Sequence, residues 1–110
     1  MQTTTQTHSL QAFTVEGDFI PTLYVEGEIP TNGEKPVVEM GIHEPQGNDA
    51  NELVLYFQID VYNPSGSGKL RIKDFSKPMK HSGEYNSVRI TTQKGDIVLK
   101  VVEKNRSKSS

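Results

Sequence analysis

The sequence predicts an all-β domain, a small antiparallel β-sandwich or barrel of six to seven strands. Three observations carry that expectation. Prolines at 21, 30, 36, 45, 64 and 78, with nine glycines scattered among them, leave few stretches as long as the mean helix of about 11 residues. Apolar residues between these breakers recur at every second position, the period of a strand with one buried face. Near the C-terminus, Lys94-Gly95 separates two such runs and reads as a hairpin turn. A sandwich is the first expectation, and a barrel of the oligonucleotide-binding type the second.

The strands follow in order. Ala12 to Glu16 alternates, and so does Thr22 to Ile29, where Leu23, Val25 and Ile29 oppose Tyr24, Glu26 and Glu28. In Val37 to Ile42, the residues Val38, Met40 and Ile42 share a face opposite Glu39. The strongest run is Glu52 to Tyr62: Leu53, Leu55, Phe57, Ile59 and Val61 point one way, and Val54, Tyr56, Gln58, Asp60 and Tyr62 the other. A helix would scatter those five apolar side chains around its circumference, so the segment reads as an interior strand with Phe57 and Ile59 both buried.

After the loop Asn63-Pro64-Ser65-Gly66-Ser67-Gly68, the stretch Lys69 to Phe75 alternates Lys69, Arg71 and Lys73 with Leu70 and Ile72. Ser87 to Thr92 and Asp96 to Glu103 form the hairpin. A two-residue turn at Lys94-Gly95 sets Val88 against Val101 and Ile90 against Leu99, and brings Arg89 opposite Lys100. Like charges directly opposite are unfavourable, so either a neighbouring carboxylate or a bulge must relieve that pair.

The length of 110 residues fits one domain spanning 1–110, with residues 1–10 and 104–110 expected as disordered tails. There is no cysteine, hence no disulfide framework, thiolate metal site or cysteine nucleophile. The start, Met1 to Gln11, lacks the basic end and apolar run of a secretory signal. The longest apolar cluster, Leu53 to Tyr62, falls far short of the roughly 20 residues that span a bilayer. A cytoplasmic protein is the expectation.

Charge is unevenly distributed. Residues 1–60 carry ten acids against Lys35 alone, and residues 61–110 carry eleven bases against Asp74, Glu84, Asp96 and Glu103. The halves nearly cancel, which favours pairing across a sheet over long-range attraction of a polyanion.

Motifs for catalysis or metal binding are incomplete. Gly66-Ser67-Gly68-Lys69 lacks the leading glycine and trailing hydroxyl of a phosphate-binding loop, and a strand follows it instead of a helix. His43-Glu44 is followed by Pro45 and Gly47, which excludes a helical zinc-protease motif. Asn48 to Glu52 suits a turn better than a calcium loop. No serine stands in a nucleophile elbow, and Glu26 and Glu28 read as solvated carboxylates of one strand face. Neither an enzyme nor a cofactor or metal site is expected.

The basic segment supplies the candidate site. Lys69, Arg71 and Lys73 fall on one strand face, with Lys77 and Lys80 in the loop that follows and the bases Lys104, Arg106 and Lys108 in the tail. Such a row guards a sheet edge against aggregation or, beside Tyr56, Tyr62 or Tyr85, contacts phosphates of a single strand. The expected function is a non-catalytic interaction module, presenting the loops Glu44 to Asn51, Asn63 to Lys69 and Ser76 to Asn86 to another protein. The alternative is a single-stranded nucleic-acid-binding domain using Lys69, Arg71, Lys73, Lys77 and Lys80. Without tryptophan to stack on a sugar, a carbohydrate site is disfavoured.

Overall fold

The structure, a computed structural model, describes residues 9–16, 20–33, 37–81 and 83–104. Every regular element among them is a strand: β1 (Gln11–Val15), β2 (Thr22–Glu26), β3 (Glu28–Thr31), β4 (Met40–Ile42), β5 (Glu52–Phe57), β6 (Gly68–Arg71), β7 (Phe75–Pro78), β8 (Ser87–Thr91) and β9 (Ile97–Lys104). The all-β expectation holds. Seven strands form one sheet in the order β4-β5-β8-β9-β1-β2-β7, and β3 pairs with β6 in a second.

Two features of the expectation change. First, the larger sheet is mixed: β1 runs parallel to β9 and β5 parallel to β8, while the other pairs are antiparallel. Secondly, two of the segments read as single strands each break in two. Gly27, at φ +135°, occupies a conformation closed to most side chains, and a Cβ there would strike the Ser9 carbonyl. The chain therefore switches sheets, so Glu26 pairs opposite Gln11 and Glu28 opposite Arg71 instead of lying on one continuous strand. The second break, at Ile72–Asp74, separates β6 from β7.

The seven-stranded sheet curls until its ends nearly meet. Val38, just before β4, forms a parallel bridge with Ile72, just before β7, and the Lys73 amide donates to the Val38 carbonyl at 2.9 Å. Inside lies one core, in which Leu23, Val25, Ile29, Val38, Leu55, Val88 and Ile90 are wholly buried. Each such side chain contributes roughly 1.5–3 kcal/mol by leaving water.

The period-two pattern holds through Leu53, Leu55 and Phe57 and then stops. Ile59, expected to be buried, is 48% exposed, because β5 ends at Phe57 and the chain bends at Gln58 and Ile59. Tyr62, assigned to the outer face, is buried in the core beyond the bend. Val54 also lies outside the core face yet is covered, with Gly47 of the preceding loop against it.

The hairpin forms with a register two residues from the expected one. Val88 pairs with Leu99 and Ile90 with Ile97, and the loop closes by a hydrogen bond from the Gly95 amide to Thr92 at 3.2 Å. The shifted register keeps Val88, Ile90, Ile97 and Leu99 on the core face and moves Arg89 from opposite Lys100 to opposite the exposed Val98.

At the described ends, residues 9, 10 and 104 are tied to the sheets. Ser9 exchanges hydrogen bonds with Glu28, Leu10 joins the core, and Lys104 pairs with Val15. Residues 1–8 and 105–110, including Arg106 and Lys108, lie outside the described residues.

Candidate functional site

Strand β4 forms one end of the larger sheet, and its backbone alternation fixes which groups face outward. Gln58 donates to the Glu39 carbonyl at 2.8 Å and His43 to the Val54 carbonyl at 2.9 Å, so residues 39, 41 and 43 spend their polar groups on β5. Met40 and Ile42 therefore turn their amides and carbonyls to the open side. Ile42 shares the inward face with its partner Leu55, yet it is 39% exposed because no strand covers that side.

Beside this edge lies an open groove of about 600 Å³. Tyr56, 37% exposed, forms its floor on the outward face of β5 and lies flat over Gly41, where a Cβ would sit 2.9 Å from the ring. His43 and Glu44 wall one side, and Asp60, Thr91, Thr92 and Gln93 the other. The His43 ring stands edge-on to Tyr56, with centroids 6.1 Å apart at 82°. Its Nδ1 is 3.1 Å from the Pro45 carbonyl, which can only accept, so Nδ1 donates there.

Gln46 sets where β4 stops. Its Nε2 donates to the carbonyls of His43 and Val54, and its Oε1 accepts from the Val54 amide at 2.8 Å. The carboxamide thus stands in for backbone between residues 43 and 54, prising the chain away from β5. Opposite, Asp60 Oδ2 accepts from the Gln93 amide at 2.7 Å and ties the β8–β9 loop to the groove, while Oδ1 is buried without a donor among the described residues.

Further along the outward face, Arg89 reaches Glu52 and Asp96, each at 3.1 Å. The hydrogen bond that it donates to Glu52, then the one to Asp96, holds the guanidinium above its ordinary pKa. The charge conflict foreseen at Arg89 does not arise, because Lys100 lies opposite Ser87; of the two reliefs foreseen, the carboxylate from a neighbouring strand is present, as Glu52 of β5.

The basic residues are distributed among partners. Lys69, Arg71 and Lys73 are exposed in one alternating row while Ile72 is buried, as expected. Arg71 lies 3.9 Å from Asp74 and opposite Glu28, and Lys73 lies 3.5 Å from Glu39. Lys77 belongs to β7, not to a loop: it pairs with Leu23 on the inward face, and its ammonium sits 5.6 Å above the Tyr85 ring. Lys80 is exposed beyond β7, and its amide donates to Glu84 at 2.7 Å.

Two of the three polar loops come together. Asn51 donates to the Glu84 carbonyl at 3.0 Å and accepts from the Asn86 amide at 2.7 Å, joining the loop after β4 to the loop before β8. Asp49 closes the first of these as an Asx turn, accepting from the Asn51 amide at 2.9 Å. The third loop stands apart: Asn63 donates to Pro30 and to Asn32, and the segment joins β5 to β6, which are not paired, so it is not a hairpin.

Ile42, Gln46 and Asp60 were missed as site residues. The available signal was Met40-Gly41-Ile42, a run without charge or proline, where the strand at the other end of the sheet holds Lys77 and Pro78. Among the described residues no three His, Asp or Glu side chains converge as metal ligands would, and no helix is long and apolar enough to cross a membrane. No family model, no curated protein and no solved structure matches this chain.

Proposed function

We propose that this chain is a non-catalytic interaction module that binds another protein at the β4 edge and along the loop 43–51 that follows it. The observation that supports this reading is the open edge itself: outward-facing backbone at Met40 and Ile42, with Ile42 and Tyr56 exposed beside the groove. Unsatisfied strand edges with apolar neighbours accept an extended segment of a partner, the backbone giving affinity and the adjoining side chains selectivity. The loop that follows the edge is itself held at Asn51 by hydrogen bonds with Glu84 and Asn86. The proposal includes a cytoplasmic setting for a chain without cysteine.

The nucleic-acid alternative is disfavoured because Arg71 and Lys73 each lie beside a carboxylate, which offsets the charge a phosphate would meet. One pair of variants separates the readings. Ile42→Lys should remove the partner from a co-purification in the native host, while the triple change of Lys69, Arg71 and Lys73 to Gln should retain it. The opposite pattern overturns the proposal. So does micromolar binding of a labelled oligonucleotide that the triple variant loses, with a salt slope flattened by about 0.7 per lost contact.

A further inference from the structure

We propose that the protein docking at the β4 edge is a second copy of this chain, paired antiparallel through Met40–Ile42 about a two-fold axis at Gly41. This rests on the reading of β4 as a protein-binding edge. An isologous contact demands a self-complementary strand, since each residue i that meets j must also be met by j. The sequence around Gly41 satisfies that demand. Centred there, the register sets Met40 opposite Ile42 of the second copy and Glu39 opposite His43.

The backbone phase agrees. Met40 and Ile42 are the residues whose amides and carbonyls face outward, so the two symmetry-related pairs exchange four hydrogen bonds. Ile42 then covers apolar surface that is 39% exposed in the single chain. Gly41 keeps the seam flat, because Tyr56 already occupies the space over it.

Charge is compatible as well: Glu39, which Lys73 of its own chain already accompanies, meets His43 of the second copy on the outward face, and the contact occurs twice by symmetry. The length of the pairing is also set: Lys73 occupies the edge at Val38, and the chain bends away at Glu44 and Pro45, so the ladder ends where the two copies would otherwise collide.

The chain contains no cysteine, so engineered thiols report this register directly. Residues 39 and 43 of an antiparallel pair at a non-hydrogen-bonded site lie about 4.5 Å apart at Cα, within disulfide range. A mixture of Glu39→Cys and His43→Cys chains should therefore cross-link on mild oxidation, and neither variant alone should. In sedimentation, the native chain should shift from monomer to dimer with concentration, and Ile42→Lys should raise the dissociation constant at least about tenfold. A native chain that stays monomeric at millimolar concentration, or a mixture that cross-links no faster than one of Lys100→Cys with His43→Cys, overturns the second copy as partner. If Ile42→Lys still abolishes co-purification of a different protein, the docking reading survives that result; if it does not, both fall.

Discussion

The two ends of the seven-stranded sheet meet the same physical problem with different chemistry. On β7, hydrogen bonds through residues 21 and 79 leave Ser76 and Pro78 facing outward, and proline has no amide to offer an incoming strand. Its neighbour Lys77 points to the inward side of the strand, where it would carry a charge into any added sheet. Both are recognised devices against edge-to-edge pairing. The other end, β4, has neither. Ile42 occupies on β4 the kind of inward-facing place that Lys77 holds on β7, and Gly41 and Met40 complete an uncharged strand. One edge is closed to addition and the other is left open, which makes β4 the place to look for a partner.

The largest effect should come from the layer beneath each edge. Phe57 lies across from Met40 and is buried, whereas Phe75 on β7 is only partly buried across from Val25. Phe57→Ala should cost about 3–5 kcal/mol, a large share of a small domain's stability, and Phe75→Ala clearly less. Denaturant melts of the two variants measure this. Equal losses would mean that the β7 side is packed as tightly as the β4 side.

Much of that layer was legible in the sequence. Leu53, Leu55 and Phe57, Val88 and Ile90, and Leu23 and Val25 declare their faces through period two, which needs no knowledge of partners. The pairing of strands is different. Nothing local to Gln11–Val15 says that it will lie parallel to β9, because that contact is fixed by closure of the whole sheet. Ile59 misled for a related reason. The alternation continues past the point where β5 ends, and no proline or glycine marks the bend.

The candidate site was less legible still. The row of Lys69, Arg71 and Lys73 could be read, but Glu39 beside Lys73 comes from 34 residues away, and Gln93 beside Asp60 from 33. Lys77 was visible as a charge, while its inward orientation on an edge strand required the sheet order.

A middle-sized effect should follow from Gln46, which shapes the open edge. Gln46→Ala leaves the part-buried Val54 amide without its acceptor, at a cost of about 1–2 kcal/mol. Amide hydrogen exchange at Val54 should speed up while exchange at Leu23, beneath the β7 edge, stays slow. Unchanged exchange at Val54 would show that another group takes over and that Gln46 does not define where β4 ends.

The smallest change in stability should accompany the most direct test of the contrast, which is to make β7 resemble β4. Lys77→Ile with Pro78→Val removes the inward charge and restores an outward amide at the end of the strand. Fold stability should fall by less than about 1 kcal/mol, mainly because the unfolded chain gains freedom without proline. The loss of the Lys77 contact with Tyr85 contributes little at a half-exposed site. Association, in contrast, should rise: light scattering should show growth beyond a dimer, since each copy then presents two open edges and a chain of copies need not close. Combining these changes with Ile42→Lys should return the protein to limited assembly by closing β4. If the β7 variant scatters no more than the native chain, Pro78 and Lys77 are not what keeps that edge single, and the difference between the two edges would lie in their surroundings instead of their residues.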